Sequence, residues 1–299
     1  MDFGHIAYNR LETVDFSLPP EPVTNGLVLC GQCASHPKVY VGCPRWGVKE
    51  WVGKLYPKGI KDAQFLDEYV KHFNCIELNS TFYNLYDEAL LAKWAGKAQQ
   101  RDFLFLPKVF QGISHEGRLA DKQPLTHVFV RSIAALGEHL GPAFLQLSDG
   151  FGPQRKKELH DYLQAWPKSI SLFVELRHAD WFQPQELEAL TEMLRSLNKG
   201  FMITDTAGRR DVCHMHLTGP KAMIRFVANN LHPTDHPRID AWVKRIAYWL
   251  ENGLEELYFI VHMDQEKHSP ELAGYLIDRL NETCGLALKK PVIVQQELF

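Results

Sequence analysis

The sequence predicts an α/β barrel of the TIM type, eight strands each followed by a covering element, behind an irregular N-terminal extension. Three observations point there. Short, near-continuously apolar runs alternate with stretches of helical periodicity, as in a parallel sheet covered on both faces. The connections between them are short. Polar residues gather at the carboxyl ends of the runs, where such a barrel carries its site. A doubly wound open sheet is the competing class, but it normally carries a glycine-rich phosphate turn, and no GxGxxG occurs.

Residues 1–38 read as the extension, because Pro19, Pro20, Pro22, Asn25, Gly26 and Pro37 interrupt any long element. The barrel domain is expected over 39–288 and a short tail over 289–299. Strands are expected at 39–43, 75–81, 103–109, 143–148, from 171, 200–206 and 257–263. Pro107 belongs at the end of the third, since it lacks a ladder donor. Two segments compete for the seventh strand, 212–217 and 223–228, and the second is favoured. Helical spacing or a helix-starting Pro marks 61–73, 124–139, 153–166, 184–198 and 269–284. Asp87 caps a helix to about residue 97. The strongest helix covers 235–251, with Ile239, Trp242, Val243, Ile246, Trp249 and Leu250 on one face.

At 299 residues, 45% hydrophobic and 23% charged, the chain has the composition of a globular protein. Its formal net charge of −3 gives a nucleic-acid partner no support beyond local patches. No apolar run approaches the ~18 residues of a membrane span. The first twenty residues carry acids and lack an apolar core, so no secretory signal is expected and the cytoplasm is the expected compartment. The cysteines are scattered and read as reduced thiols. Cys30 and Cys33 form a CxxC that His36 and Cys43 would complete as a zinc site, against an inert reduced pair.

The run SLFVELRHADWF at 171–182 turns within two residues from apolar to charged. Strand alternation puts Phe173, Glu175 and Arg177 on one face, and buried charge at a strand end signals a site. His178 falls on the other alternation and is expected to face a loop. Other strand ends add Glu77, Asn79, Lys108, Gln146, Asp205, Arg225 and His262. Structural roles compete with functional ones here: an internal Glu175–Arg177 pair, a Lys108–Glu77 pair, a loop bond for Asn79, a turn cap for Asp205.

The segments Val41–Gly42 with Trp46, Trp51 with Tyr56–Pro57, ELNSTFY at 77–83, Lys108 with Ser114–His115, LQL at 145–147 and VELRH with Trp181–Phe182 together resemble the YecE-like family, domain of unknown function 72. The resemblance spans about residues 39–283. It implies a TIM-type barrel and no activity. Two departures come late: where the family tends to read RxHG, Arg225, Phe226, Val227 and Ala228 stand here, and the asparagine-rich end of the last strand is replaced by Ile260–Asp264 residues including His262.

Three functions compete. In the first, an acid–base enzyme of hydrolase or isomerase class uses Glu175, Arg177, Glu77 and Asp205. One carboxyl is held ionised by arginine and the other raised by burial, on a polar or anionic, sugar- or phosphate-like substrate. Trp46, Asn79, Tyr83, Lys108, His115, Gln146, His178, Trp181 and Arg225 would bind that substrate. In the second, His214, His216 and His262 hold a divalent metal ion with Glu175, Asp205 or Asp264, for phosphoester hydrolysis, on nucleic acid among other substrates, or for sugar isomerisation. In the third, a non-catalytic barrel binds a ligand or nucleic acid through a rim of Trp46, Trp51, Tyr56, Phe82, Tyr83 and Trp181. The basic groups Arg118, Arg155, Lys156, Lys157, Arg209 and Arg210 would meet phosphates.

Overall fold

A computed structural model of the chain describes residues 3–29, 31, 32, 34 and 36–293. Its strands are β1 (Lys38–Cys43), β2 (Cys75–Leu78), β3 (Leu104–Pro107), β4 (Ala143–Gln146), β5 (Leu172–Glu175), β6 (Gly200–Asp205), β7 (Lys221–Val227) and β8 (Glu256–His262). All are parallel, in the order β3-β2-β1-β8-β7-β6-β5-β4. The β3–β4 seam is closed by Gly141 N–H donating to Phe105 O and Val109 N–H to Phe144 O, both at 2.9 Å. Gly141 permits that approach, because a Cβ there would stand 2.5 Å from the Leu106 side chain. The result is a TIM-type barrel.

The helices are α1 (Phe65–His72), the one-turn α2 (Ser80–Tyr83), α3 (Glu88–Lys97), the one-turn α4 (Gln111–Ser114), α5 (Gln123–Ala134), α6 (Lys156–Ala165), α7 (Pro184–Ser196), α8 (Asp235–Glu251) and α9 (Ser269–Cys284). Asp87 caps α3 as the sequence predicts, its carboxylate accepting from Leu90 N at 2.7 Å. The expected apolar face of α8 is buried against the barrel. Hydrophobic burial is thus split in two. One cluster fills the space between strands and helices, and a smaller one, including Phe144, Phe173, Met202, Met223 and Tyr258, fills the barrel. No helix of the described residues is long and apolar enough to cross a membrane.

The third and fourth strands end two residues earlier than expected, and two further differences bear on the site. The second strand ends at Leu78, and Thr81 lies in α2, where its hydroxyl donates to the carbonyls of Leu78 (2.7 Å) and Lys108 (2.8 Å). Of the two candidates for the seventh strand, 223–228 supplies β7. The segment 212–217 is not a strand: Met215 takes φ of 63° there, while Cys213, Met215 and Leu217 are buried.

Among the described residues no α-helix lies between β6 and β7. The N-terminal segment packs there instead. Asn25 donates to Met215 O (3.0 Å) and accepts from Leu217 N (2.8 Å), imitating a strand neighbour. Glu21 accepts from Arg245 and from the Trp249 indole, each at 2.9 Å, which holds the segment along α8. At its far end the Gly4 carbonyl accepts from Gly208 N (2.7 Å) and the Thr206 hydroxyl (3.1 Å). Phe3 is thereby brought to the carboxyl mouth of the barrel.

Candidate active site

Side chains two apart on a strand share a face. Cys75, Leu106, Phe144, Phe173, Met202 and Met223 form the apolar layer inside the barrel. Two residues further along the same strands stand Glu77, Lys108, Gln146, Glu175, Thr204 and Arg225, and His262 follows Ile260 in the same way. Seven strands therefore add one polar layer at their carboxyl ends, and it is tightly knit.

Arg225, with none of its surface exposed, is the hub. Its Nη2 donates to Glu77 Oε1 at 2.7 Å, its Nε to Glu77 Oε2 at 3.3 Å, and its Nη1 to Glu175 Oε2 at 2.6 Å. This forked geometry suits guanidinium and carboxylate, and it offsets the cost of taking three charges out of water. Glu77 Oε2 also lies 2.8 Å from His262 Nε2. Glu175 Oε1 accepts from the Thr204 hydroxyl at 3.3 Å and lies 3.6 Å from Arg177 Nε. Gln146 Oε1 accepts from both Lys108 Nζ (2.8 Å) and Arg177 Nη2 (2.7 Å).

Burial alone would raise both glutamates, yet Arg225 pulls each below the usual carboxylate range. His262 and Lys108 assist at Glu77, and Arg177 and Lys108 at Glu175. The expectation of one raised carboxyl is thus corrected: a single buried arginine bridges the two, so both stay ionised. Lys108 is the group displaced towards neutrality. Burial first, then the charge of Arg225, brings its ammonium down to about 8, against the pull of Glu175 and Glu77. Its Nζ sits 4.3 Å from the centre of the Phe82 ring.

The polar layer opens on a cavity of about 520 Å³ whose walls include Glu77, Lys108, His262, Trp46, Asn79 and Tyr83. Phe3, which sequence reading left in an unstructured extension, also lines it and lies 4.3 Å from the guanidinium of Arg177. Asn79 reaches towards Pro44 O at 3.5 Å. His115 stands behind this wall, its Nδ1 2.7 Å from the Ser114 hydroxyl and its ring edge-on to Phe82.

Other predicted site residues lie elsewhere. Asp205 follows the inward Thr204 and so points outward, to Trp242 Nε1 at 2.7 Å, Arg238 Nη2 at 3.0 Å and Arg210. Trp181 is buried with its indole donating to Phe151 O, a core residue and not a substrate platform. Trp51 and Tyr56 are buried in the same manner. The His178 ring accepts from Asp180 N at 3.2 Å, capping the turn after β5.

The proposed metal ligands do not converge. His214 stacks on Phe201, another outward residue of β6, with its Nε2 3.1 Å from Met202 O and its Nδ1 accepting from His216 N. Burial presses its imidazole down to about 3. His262 is inside the barrel with Glu77, across the sheet from both. Among the described residues no group of three or more His, Cys, Asp or Glu is placed to hold a metal ion.

Cys30 and Cys33 lie outside the described residues. Their suggested partners lie at opposite ends of β1: His36 precedes the strand and Cys43 ends it, roughly 17 Å from its first residue, Lys38. The basic run is also spoken for, Arg155 pairing with Glu158, Lys156 with Glu186 and Lys157 with Asp161.

Fold and site together define a TIM-type barrel with a buried glutamate–arginine–glutamate bridge across its carboxyl mouth. Residues 40–296 match the family described as Protein of unknown function DUF72, and the chain belongs to that family. It is 28% identical over 277 residues to UPF0759 protein YecE of Escherichia coli K12, covering 86% of this chain and 98% of that protein. A solved structure of a DUF72 family protein from Enterococcus faecalis V583 superposes with a TM-score of 0.67 at 18% identity, over 85% of this chain and all of that one. Another from Thermotoga maritima MSB8 gives 0.63 at 23% identity, over 82% and 99%. These likenesses carry the fold.

Proposed function

We propose that the protein is an acid–base enzyme that takes a small polar or anionic substrate into the mouth cavity. Lys108 exchanges the proton, and His262, oriented by Glu77, is its partner group. The observation that carries this reading is the charge arrangement. Lys108, Arg177 and Arg225 converge with the carboxylates Glu77 and Glu175 in one buried layer beside an accessible cavity, whose walls also carry Arg45, Asp264 and Glu266. Arg45 stands on the same wall, its charge facing that of Glu266. A purely structural bridge does not need a buried lysine, its ammonium pressed down to about 8, facing an accessible cavity. The buried thiols Cys43, Cys75 and Cys213 suit a reducing compartment, and we assign the enzyme to the cytoplasm on that ground.

The test is substrate discovery by difference. Wild-type protein and the Lys108→Met and His262→Asn variants are incubated with a polar-metabolite extract, and depletion is followed by mass spectrometry. The expected result is at least one anionic or polar compound consumed by the wild type and not by Lys108→Met. If every compound consumed by the wild type is consumed equally by both variants, Lys108 and His262 are not the reacting groups.

A further inference from the structure

We propose that Lys108 acts covalently, forming an imine with a small carbonyl compound that bears an anionic group; this rests on the mouth cavity being the active site. The geometry is that of a nucleophilic amine and not of a salt-bridge lysine. Among the described residues its one hydrogen-bond acceptor is the neutral amide oxygen of Gln146, while the nearby carboxylates are taken by Arg225. The rings of Phe82 at 4.3 Å and Phe144 at 6.0 Å give Nζ an apolar wall. Its backbone is held by Thr81 at the carbonyl and by the β3–β4 bridge to Phe144, so Nζ is presented from a fixed strand end.

Desolvation beside other cations is how proteins keep a lysine amine nucleophilic at neutral pH. With its ammonium at about 8, roughly a tenth of Lys108 is uncharged at pH 7, against well under a thousandth for an ordinary lysine. The same surroundings select the substrate. Arg45 lines the cavity facing Glu266 and suits a carboxylate or phosphate carried next to the carbonyl, while Arg177 is engaged behind it by Gln146 and Glu175.

The step balances without a further reagent. The free amine pair of Nζ attacks the carbonyl carbon, and the carbonyl π pair moves to oxygen as the C–N bond forms. Nζ gives up a proton, the oxygen takes up two in all and leaves as water, and a protonated C=N bond remains. His262 opens on the same cavity and carries these protons. The iminium then serves as an electron sink for deprotonation or carbon–carbon cleavage next to it.

The experiment is reductive trapping. Full-length protein is mixed separately with glyoxylate, pyruvate and dihydroxyacetone phosphate in sodium cyanoborohydride, and the products are read by intact mass and peptide mapping. The expected result is one adduct per chain with at least one probe, mapped to Lys108. Its rate should rise with pH through a midpoint near 8 and be lost in Lys108→Met. Adducts spread over exposed lysines with Lys108 unmodified would overturn the proposal. If Lys108→Met abolishes metabolite depletion while the wild type traps no probe on Lys108, the imine falls and the acid–base reading stands. If depletion is also indifferent to Lys108, both fall.

Discussion

Replacing Arg225 with methionine is expected to cost the fold at least about 3–5 kcal/mol, because it strands Glu77 and Glu175 as buried carboxylates. Both stay ionised because of this guanidinium, so without it each must take up a proton or drag in water. Arg225→Lys should rescue little, since one ammonium supplies neither the fork nor the reach to both acids. The triple variant Arg225→Met, Glu77→Gln, Glu175→Gln should recover much of the loss, as no charge is then left unpaired. Urea unfolding of the wild type and these three variants at pH 7 decides the matter: an Arg225→Met protein as stable as wild type would mean that the bridge carries no weight in the fold.

Lys108→Met should behave in the opposite way, losing all turnover while stabilising the protein. A lysine lowered from 10.5 to about 8 on folding pays for its burial, and the cost is about 3 kcal/mol at most. The sign follows from proton counts. Between pH 8 and 10.5 the unfolded chain binds a proton that the folded chain does not, so wild-type stability rises with pH in that window. The methionine variant lacks this dependence. Its advantage, about 1–3 kcal/mol after loss of the Gln146 hydrogen bond, should be fullest at pH 7 and below and shrink through pH 8–10.5. Thermal melts of both proteins at pH 6, 8 and 10 would show it. A methionine variant that is less stable at every pH would mean that Lys108 is simply a structural cation. A residue that weakens the fold where it serves the chemistry is the usual signature of a functional site.

The barrel was legible because its strands are apolar on both faces and end in charge, and periodicity separates them from helices such as α8. The polar layer was legible where alternation had an internal reference: Glu175 and Arg177 share a face with Phe173, and that face proved to be the inner one. At β6 the reference failed. Met202, Ile203 and Phe201 are equally apolar, so the charge of Asp205 drew attention that belonged to Thr204, one residue earlier and facing inward. His214 and His216 misled for a related reason. An HxH pattern says nothing about which side of a barrel wall it occupies, and here stacking on Phe201 and bonds to backbone use the ring.

Phe3 and the path of the N-terminal segment were hidden for another reason. An irregular stretch is placed by single tertiary contacts, Asn25 with 215 and 217, Glu21 with Arg245, and these leave no period in the sequence. The meeting of Lys108 with Gln146 depends likewise on the β3–β4 register, which neither strand encodes alone.

Lys108 is the amine poised at the floor of the cavity, its ammonium brought down to about 8. An NMR pH titration of the native protein with selectively labelled lysine, assigned by loss of one signal in Lys108→Met, reads this directly. The Lys108 resonance is expected to titrate near pH 8, below the 10.5 of an unperturbed lysine. A midpoint near the unperturbed 10.5 would contradict it.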